Sequence, residues 1–244
     1  MHRLLVESAL LDEESPVLPA DAARHLKVLR PKDGEAIELF DGKGRYRKFK
    51  VQSSKFKVES LIPVSETLNF KPSTLNLTLF ACVTKGSRWD WTIEKATELG
   101  VTRIVPVISE RTIVRIPKDE LAAKRERWMR IAEDAARQSD AKWLPEILEA
   151  VDFKDALPLV RETTCFIGAL TTPPSPPLVR AIEQSTNRTI EQFSVFIGPE
   201  GDFTPAELAA LMEIATPTSF GPTILRAETA AIYAVSVLAA TLSK

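Results

Sequence analysis

Up to about residue 70, hydrophobic and polar positions alternate with the period of two that marks strands. Glu35–Phe40 predicts a short strand after the turn Pro31-Lys32-Asp33-Gly34. Asp41-Gly42-Lys43-Gly44 predicts a hairpin turn, because Gly and Asp tolerate positive φ. Arg45–Ser53 alternates with Phe49 and Val51 on one face. Lys55–Ile62 sets Phe56, Val58 and Ile62 against Lys55, Lys57 and Glu59. One short helix is expected over Ala20–Leu29. Together these predict a small β-barrel-like module over residues 1–71, with Thr67–Ser73 as its linker.

Over 72–244 the pattern changes to strands alternating with helices. Leu75–Val83 predicts a strand. Ser87 predicts an N-cap with Asp90 three residues on. The helix after it carries Ile93, Ala96 and Leu99 at helical spacing and stops at Gly100. Val101–Ser109 reads as a buried strand. Asp119–Ser139 predicts a long helix with Leu121, Trp128, Ile131 and Ala135 toward the core. Cys165–Leu170 and Phe193–Ile197 are short apolar strands. Thr204-Pro205-Ala206-Glu207 opens a helix with N-cap, first-turn Pro and capping-box Glu. Arg226–Leu242 predicts a last, Ala-rich helix. Such alternation predicts an α/β domain with a parallel sheet, with ligands at the carboxyl ends of its strands.

Composition narrows the class. At 44% hydrophobic and 27% charged, the chain is too apolar and too evenly charged for a disordered protein. No apolar run approaches the ~20 residues of a membrane span. Met1–Glu7 meets an acid too early for a leader peptide, so a cytoplasmic protein is expected. The two cysteines, Cys82 and Cys165, stand in apolar stretches and read as reduced core thiols. Two histidines, His2 and His25, are too few for most histidine metal or triad sites, and no metal is expected.

Net charge is −1 but unevenly spread. Lys43, Arg45, Arg47, Lys48, Lys50, Lys55 and Lys57 follow one another with no acid between them, and a second basic cluster runs from Arg111 to Arg130. Beyond residue 180 acids outnumber bases. A neutral whole with a basic front fits a polyanion partner. A solvated strand face fits the charge equally well.

Two loops are candidates for chemistry. Ile197-Gly198-Pro199-Glu200-Gly201-Asp202-Phe203 leaves an apolar strand and enters a capped helix. Its glycines let backbone approach a ligand. No Walker loop and no dinucleotide fingerprint is present. Phe220-Gly221-Pro222-Thr223-Ile224-Leu225-Arg226-Ala227-Glu228-Thr229-Ala230 places Arg226 and Glu228 at the start of a helix of small residues. Arg226 fits either an ion pair with Glu228 or a position in a cleft.

Four segments in order resemble the RsmE-type 16S ribosomal RNA uracil-N3 methyltransferases of the knotted SPOUT superfamily. The first is Arg24-His25-Leu26-Lys27-Val28-Leu29-Arg30, followed by Gly34 and Leu39-Phe40-Asp41-Gly42-Lys43-Gly44. The second is Lys85-Gly86, Glu94–Val101, Pro106 and Ser109-Glu110-Arg111. The third is Ile197–Gly201, and the fourth Gly221-Pro222, Ile224-Leu225-Arg226 and Glu228-Thr229-Ala230. Their order and spacing agree along nearly the whole chain.

The resemblance implies an N-terminal PUA-like β-barrel, a C-terminal α/β domain with a trefoil knot, S-adenosylmethionine as methyl donor, 16S ribosomal RNA of the small subunit as partner, and a homodimer. The donor would lie among Gly168, Ala169 and Leu170, then Ile197, Gly198, Pro199, Glu200 and Gly201, then Phe220, Gly221, Ile224, Leu225, Thr229 and Ala230. Attack by uracil N3 on a methyl sulfonium needs its proton lost or shared. Arg226 is the candidate to stabilise the uracil anion. Glu200 and Glu228 are both candidates to take the proton; each fits equally well a carboxylate that bonds backbone N–H groups of its own loop. RNA contacts are expected from Arg3, His25, Arg30, Lys43, Arg45, Tyr46, Arg47, Lys48, Lys85 and Arg111.

The chain departs from the family pattern twice. Asp202 stands where most members carry a second Gly, and Thr223 where many carry Arg. Two other functions are compatible with the residues: another SPOUT RNA methylator, or a non-catalytic RNA-binding factor of ribosome assembly.

Overall fold

The computed structural model describes residues 1–54, 57–70, 76–160, 163–169, 174–185 and 192–242. The chain forms two compact units. One comprises Met1–Pro72 together with Ala136–Leu144; the other comprises Ser73–Ala135 and Pro145–Lys244.

In the first unit β1 (His2–Leu5), α1 (Ala20–Leu29), β2 (Ala36–Phe40), β3 (Arg45–Ser54), β4 (Lys57–Pro63) and β5 (Leu68–Asn69) build one sheet with a helix on it. The order is β1-β2-β3-β4, with β5 also pairing β3. β1 runs parallel to β2, and the other pairs are antiparallel. Leu4, Leu11, Leu26, Ile37, Leu39, Phe49, Val51 and Leu61 form its core, Phe49 and Val51 sharing a face as expected. Ile62 is corrected: it is exposed and its neighbour Leu61 is buried instead, in a strand pair whose register shifts between Gln52 and Ser53. The expected strand residues Lys55 and Phe56 lie outside the described residues.

The turn after β2 receives the returning segment. Asp41 Oδ1 accepts from the Lys43 and Arg45 N–H groups at 2.7 and 3.0 Å. Gly42 and Gly44 have φ of +68° and +93°. Gly44 N–H donates to Lys142 O, and Leu144 N–H to Gly42 O, both at 2.9 Å. A Cβ on Gly42 would stand 2.6 Å from the Leu144 side chain, and one on Gly44 2.5 Å from the Trp143 ring. Both positions therefore need glycine for packing as well as for φ.

The second unit holds β6 (Asn76–Cys82), α2 (Ser87–Glu98), β7 (Arg103–Ile108), α3 (Leu121–Gln138), β8 (Glu146–Ile147), β9 (Val151–Asp152), α4 (Phe153–Ala156), β10 (Thr164–Gly168), α5 (Leu178–Ser185), β11 (Gln192–Ile197), α6 (Pro205–Met212), β12 (Thr216–Thr218) and α7 (Ala227–Leu242), α3 ending in the residues that return to the first unit. Its sheet is parallel throughout, in the order β12-β10-β11-β6-β7-β8, with β9 also beside β7. Leu77, Leu79 and Ala81 of β6 face one core with Trp89, Trp128, Leu178, Ala231 and Leu238. Phe80 and Cys82 face the other with Phe153, Phe203 and Leu211. Burial on both faces explains the unbroken apolar runs.

Four local expectations are corrected. Leu68–Asn69, expected to be linker, pair with Arg45 and Tyr46 of β3, and residues 71–73 of that expected linker lie outside the described residues. Ser87 is the first residue of α2 rather than its N-cap; Gly86 holds that place at φ +68°, with no side-chain cap. The long helix is preceded by a 3-10 turn at Lys118–Glu120, so α3 proper begins at Leu121. The last helix begins at Ala227, which leaves Arg226 in the loop. The Thr204 capping box is formed as expected, with both hydrogen bonds present.

Candidate active site

Three strand ends open into one cleft of about 340 Å³ in the second unit, within the usual range for small-molecule sites. β11 delivers the first wall. After Ile197 the chain turns through Gly198-Pro199-Glu200-Gly201, closed by Asp202 N–H donating to Pro199 O at 3.0 Å. Asp202 sits at φ +60°, and its Oδ1 accepts from Phe203 N–H at 2.8 Å. Arg111 braces this turn, donating to Gly201 O at 3.0 Å and Phe203 O at 3.5 Å. Arg88 donates to Glu200 Oε1 at 3.1 Å.

β10 and β12 deliver the other walls. Ala169 N–H donates to Thr218 O at 3.1 Å. A Cβ added to Gly168 would meet the Phe220 ring at 2.5 Å, so the ring lies against bare backbone there. Phe220 also tilts against Tyr233 of α7, with centroids 5.7 Å apart. Beyond it the loop runs out into solvent at Ile224, 84% exposed.

Most of the residues expected to hold the donor meet in this cleft. Gly168 and Ala169 line one wall, Ile197, Gly198, Pro199 and Glu200 another, and Phe220, Gly221, Ile224, Leu225 and Ala230 the third. Gly201 and Thr229 do not line it: Gly201 is turned toward Arg111, and Thr229 is on the exposed side of α7. Leu170 lies outside the described residues. Phe196, Thr218, Ser219 and Ala227 line the cleft without having been expected, as do Asp202 and Thr223. Phe196, Thr218 and Ala227 precede or follow the flagged residues by one or two positions, so neighbourhood was the available signal. The lining suits S-adenosylmethionine: glycine backbone and apolar side chains against a flat ring, with carboxylates on the opposite loop.

The three catalytic candidates separate. Arg226 lines the cleft and is exposed; among the described residues its guanidinium has no ion pair, with Glu228 or any other acid. Its carbonyl accepts from Ala230 N–H at 2.8 Å, which fixes its backbone to the first turn of α7. Glu200 lines the cleft and is held by Arg88. Glu228 does not line it, and its Oε2 is buried with no hydrogen-bond partner among the described residues.

The expected RNA contacts also divide. Lys43, Lys48, His25, Arg30 and Lys85 are exposed. Arg3 is corrected: it is 5% exposed, and its guanidinium bonds Glu38 Oε1 (2.8 Å), Ala136 O (2.6 Å) and Ala141 O (2.9 Å). Arg47 is corrected likewise, being 8% exposed and bonded to the carbonyls of Leu11, Glu13 and Ser65 and to Glu14. Buried charges need such partners, and these two guanidiniums serve the fold. Arg45 forks onto both oxygens of Asp12 at 2.7 and 2.9 Å, which raises the Arg45 pKa and lowers that of Asp12 through the hydrogen bond. The Tyr46 ring is covered by Lys142 Nζ, 4.2 Å from its centroid. Arg111, though exposed, holds the glycine turn.

A parallel sheet whose strand ends form a glycine-walled cleft, in a chain that also carries a small sheet unit with exposed lysines, defines an RNA methyltransferase of the SPOUT class with a PUA-like domain. Residues 71–239 match the RNA methyltransferase domain family, and residues 18–59 the RNA methyltransferase PUA domain. The chain belongs to the ribosomal RNA small subunit methyltransferase E family. It is 30% identical to that protein of Bacillus subtilis (strain 168), over 93% of this chain and 91% of the relative. The Neisseria gonorrhoeae member, solved bound to S-adenosyl methionine, superposes with a TM-score of 0.81 at 31% identity, covering 97% of this chain and 95% of that one. A Legionella pneumophila methyltransferase solved with the same cofactor superposes at 0.79 and 28% identity, covering 98% and 96%.

Proposed function

We propose that this protein transfers a methyl group from S-adenosylmethionine to N3 of one uridine in 16S ribosomal RNA, in the cytoplasm and as a homodimer. The observation that carries the reading is the unpaired Arg226 at the rim of a glycine-walled cleft.

Bound in that cleft, S-adenosylmethionine supplies an electrophilic methyl group on a sulfonium sulfur. Gly168, Gly198 and Phe220 give the donor a slot of bare backbone and aromatic ring. Arg226 donates to the uracil oxygens and stabilises the negative charge that appears when N3 loses its proton. Glu200 is the candidate proton acceptor that lines the cleft; Glu228 stands apart in α7. Arg111 and Arg88 hold the turn that carries Glu200 in place.

The test combines labelled S-adenosylmethionine with small ribosomal subunits from cells lacking this enzyme, followed by digestion and mass identification of the nucleoside. One N3-methyluridine is the expected product. A methyl group on another atom selects a different RNA methylation, and no transfer with no donor binding leaves an RNA-binding factor. Arg226→Ala should bind the donor normally and lose at least about 100-fold in kcat, the scale of one oxyanion-type donor. Near-normal turnover in that variant would remove Arg226 from the mechanism.

A further inference from the structure

The hairpin turn of the first unit carries an aromatic platform that the methyl-transfer cleft does not use. Trp143 pairs with Lys43 as an isolated antiparallel bridge, between the two backbone hydrogen bonds that join Gly44 to Lys142 and Leu144 to Gly42. The six-membered edge of its indole rests on Gly44, where an added Cβ would be 2.5 Å from Cζ2 and 2.7 Å from Cε2. The ring is thus fixed from below by backbone, yet the residue remains 37% exposed. Phe70, whose N–H donates to Gly44 O at 2.6 Å, is 53% exposed.

The charges around this ring favour a polyanion. Lys43 is exposed and has no ion-pair partner among the described residues. Lys142 is neutralised by Glu38 at 2.7 Å and Asp140 at 3.1 Å. One free ammonium next to a rigid, open indole is the chemistry that binds single-stranded nucleic acid: a π-face for a base and a cation for its phosphate. Tyr46 and Phe49 do not offer this, since one is capped by Lys142 and the other is fully buried.

We propose that Trp143, seated on Gly44 and flanked by Lys43, is a stacking platform for an unpaired base of the RNA substrate. The proposal rests on the reading of this protein as an RNA methyltransferase and names the part of the RNA that the first unit holds.

The test uses the full chain and an unstructured uridine-rich RNA of about 12 nucleotides, within the usual footprint of single-strand binders. Trp89 and Trp128 are buried and Trp91, in α2, is exposed, so Trp91→Phe leaves Trp143 as the accessible emitter, and its fluorescence should be quenched by the single strand. Trp143→Ala should weaken binding about 5- to 150-fold, the range for one stacked base. Trp143→Phe should keep most of the affinity. Far-UV circular dichroism and thermal melting of each variant check that the first unit, which carries Trp143, still folds. Binding by Trp143→Ala within twofold of wild type, absence of quenching, or equal quenching by duplex RNA would overturn the platform and leave Trp143 as a packing residue. Failure of wild type to methylate small subunits would instead remove the proposed function, while the oligonucleotide measurements still decide the platform.

Discussion

Asp202 closes the glycine turn at a φ of +60°, a conformation that glycine adopts most easily. A left-handed conformation costs an ordinary residue about 1–2 kcal/mol. Asp reduces that penalty by a local hydrogen bond to the Phe203 N–H. Asp202→Gly should therefore shift the melting midpoint by less than about 2 °C, since relief of strain and loss of the bond offset each other. Asp202→Val, β-branched and without the bond, should lower it by about 2–8 °C at 2–4 °C per kcal/mol and weaken donor binding. Equal melting of all three proteins would show that the turn does not need this geometry. The tolerance of Asp for this φ was legible in the sequence. What became of Arg3 and Arg47 was not, because burial of a basic residue depends on partners such as Ala136 O and Ser65 O, distant in sequence.

At the scale of elements, the cleft is made by close approach between loops. A Cβ at Gly168 would overlap the Phe220 ring, and overpacking of this kind costs about 1–3 kcal/mol. Gly168→Ala should keep the fold and weaken S-adenosylmethionine binding about tenfold, measured by titration calorimetry. The two arginines that hold the glycine turn should differ. Arg88 and Glu200 form a partly exposed ion pair, of a kind worth about 0–1 kcal/mol. Arg111 instead donates to two backbone carbonyls of the turn itself. Arg111→Ala should raise KM for the donor several-fold more than Arg88→Ala; the reverse order would put the weight on Glu200. The elements themselves were largely legible: α1 and the Thr204 capping box have local signals, and β6, β7, β10 and β11 have apolar runs. β1, α5 and β12 were not recognised. β1 and β12 are short, and each is held by parallel pairing with a strand far away in sequence. α5 has only eight residues behind a proline-rich approach.

For the whole molecule, the two thiols report the integrity of the second core. Burial pushes Cys82 up to about 11 and Cys165 up to about 12, from an ordinary 9.0. Below pH 9 both the folded and unfolded chains keep these protons, and stability is unaffected. Above it the unfolded chain releases protons that the folded one retains, so stability falls as pH rises toward 11 and 12. Each thiol contributes a slope of up to about 1.4 kcal/mol per pH unit. Denaturant unfolding at pH 8 and pH 10.5 should show this decline, and a variant with both cysteines replaced by alanine should show less of it. Equal slopes would mean that other groups set the alkaline limit. The first unit has a different sensitivity, set by its discontinuity. Its hairpin glycines and its buried Arg3–Glu38 pair are completed by residues 136–144. At ordinary translation rates the stretch Ser73–Leu144 takes on the order of 4–14 s to synthesise. During that interval the emerging chain carries a sheet whose charged interior is still open. The unit whose residues come first along the chain is thus finished late, and it cannot be transplanted between proteins as one contiguous cassette.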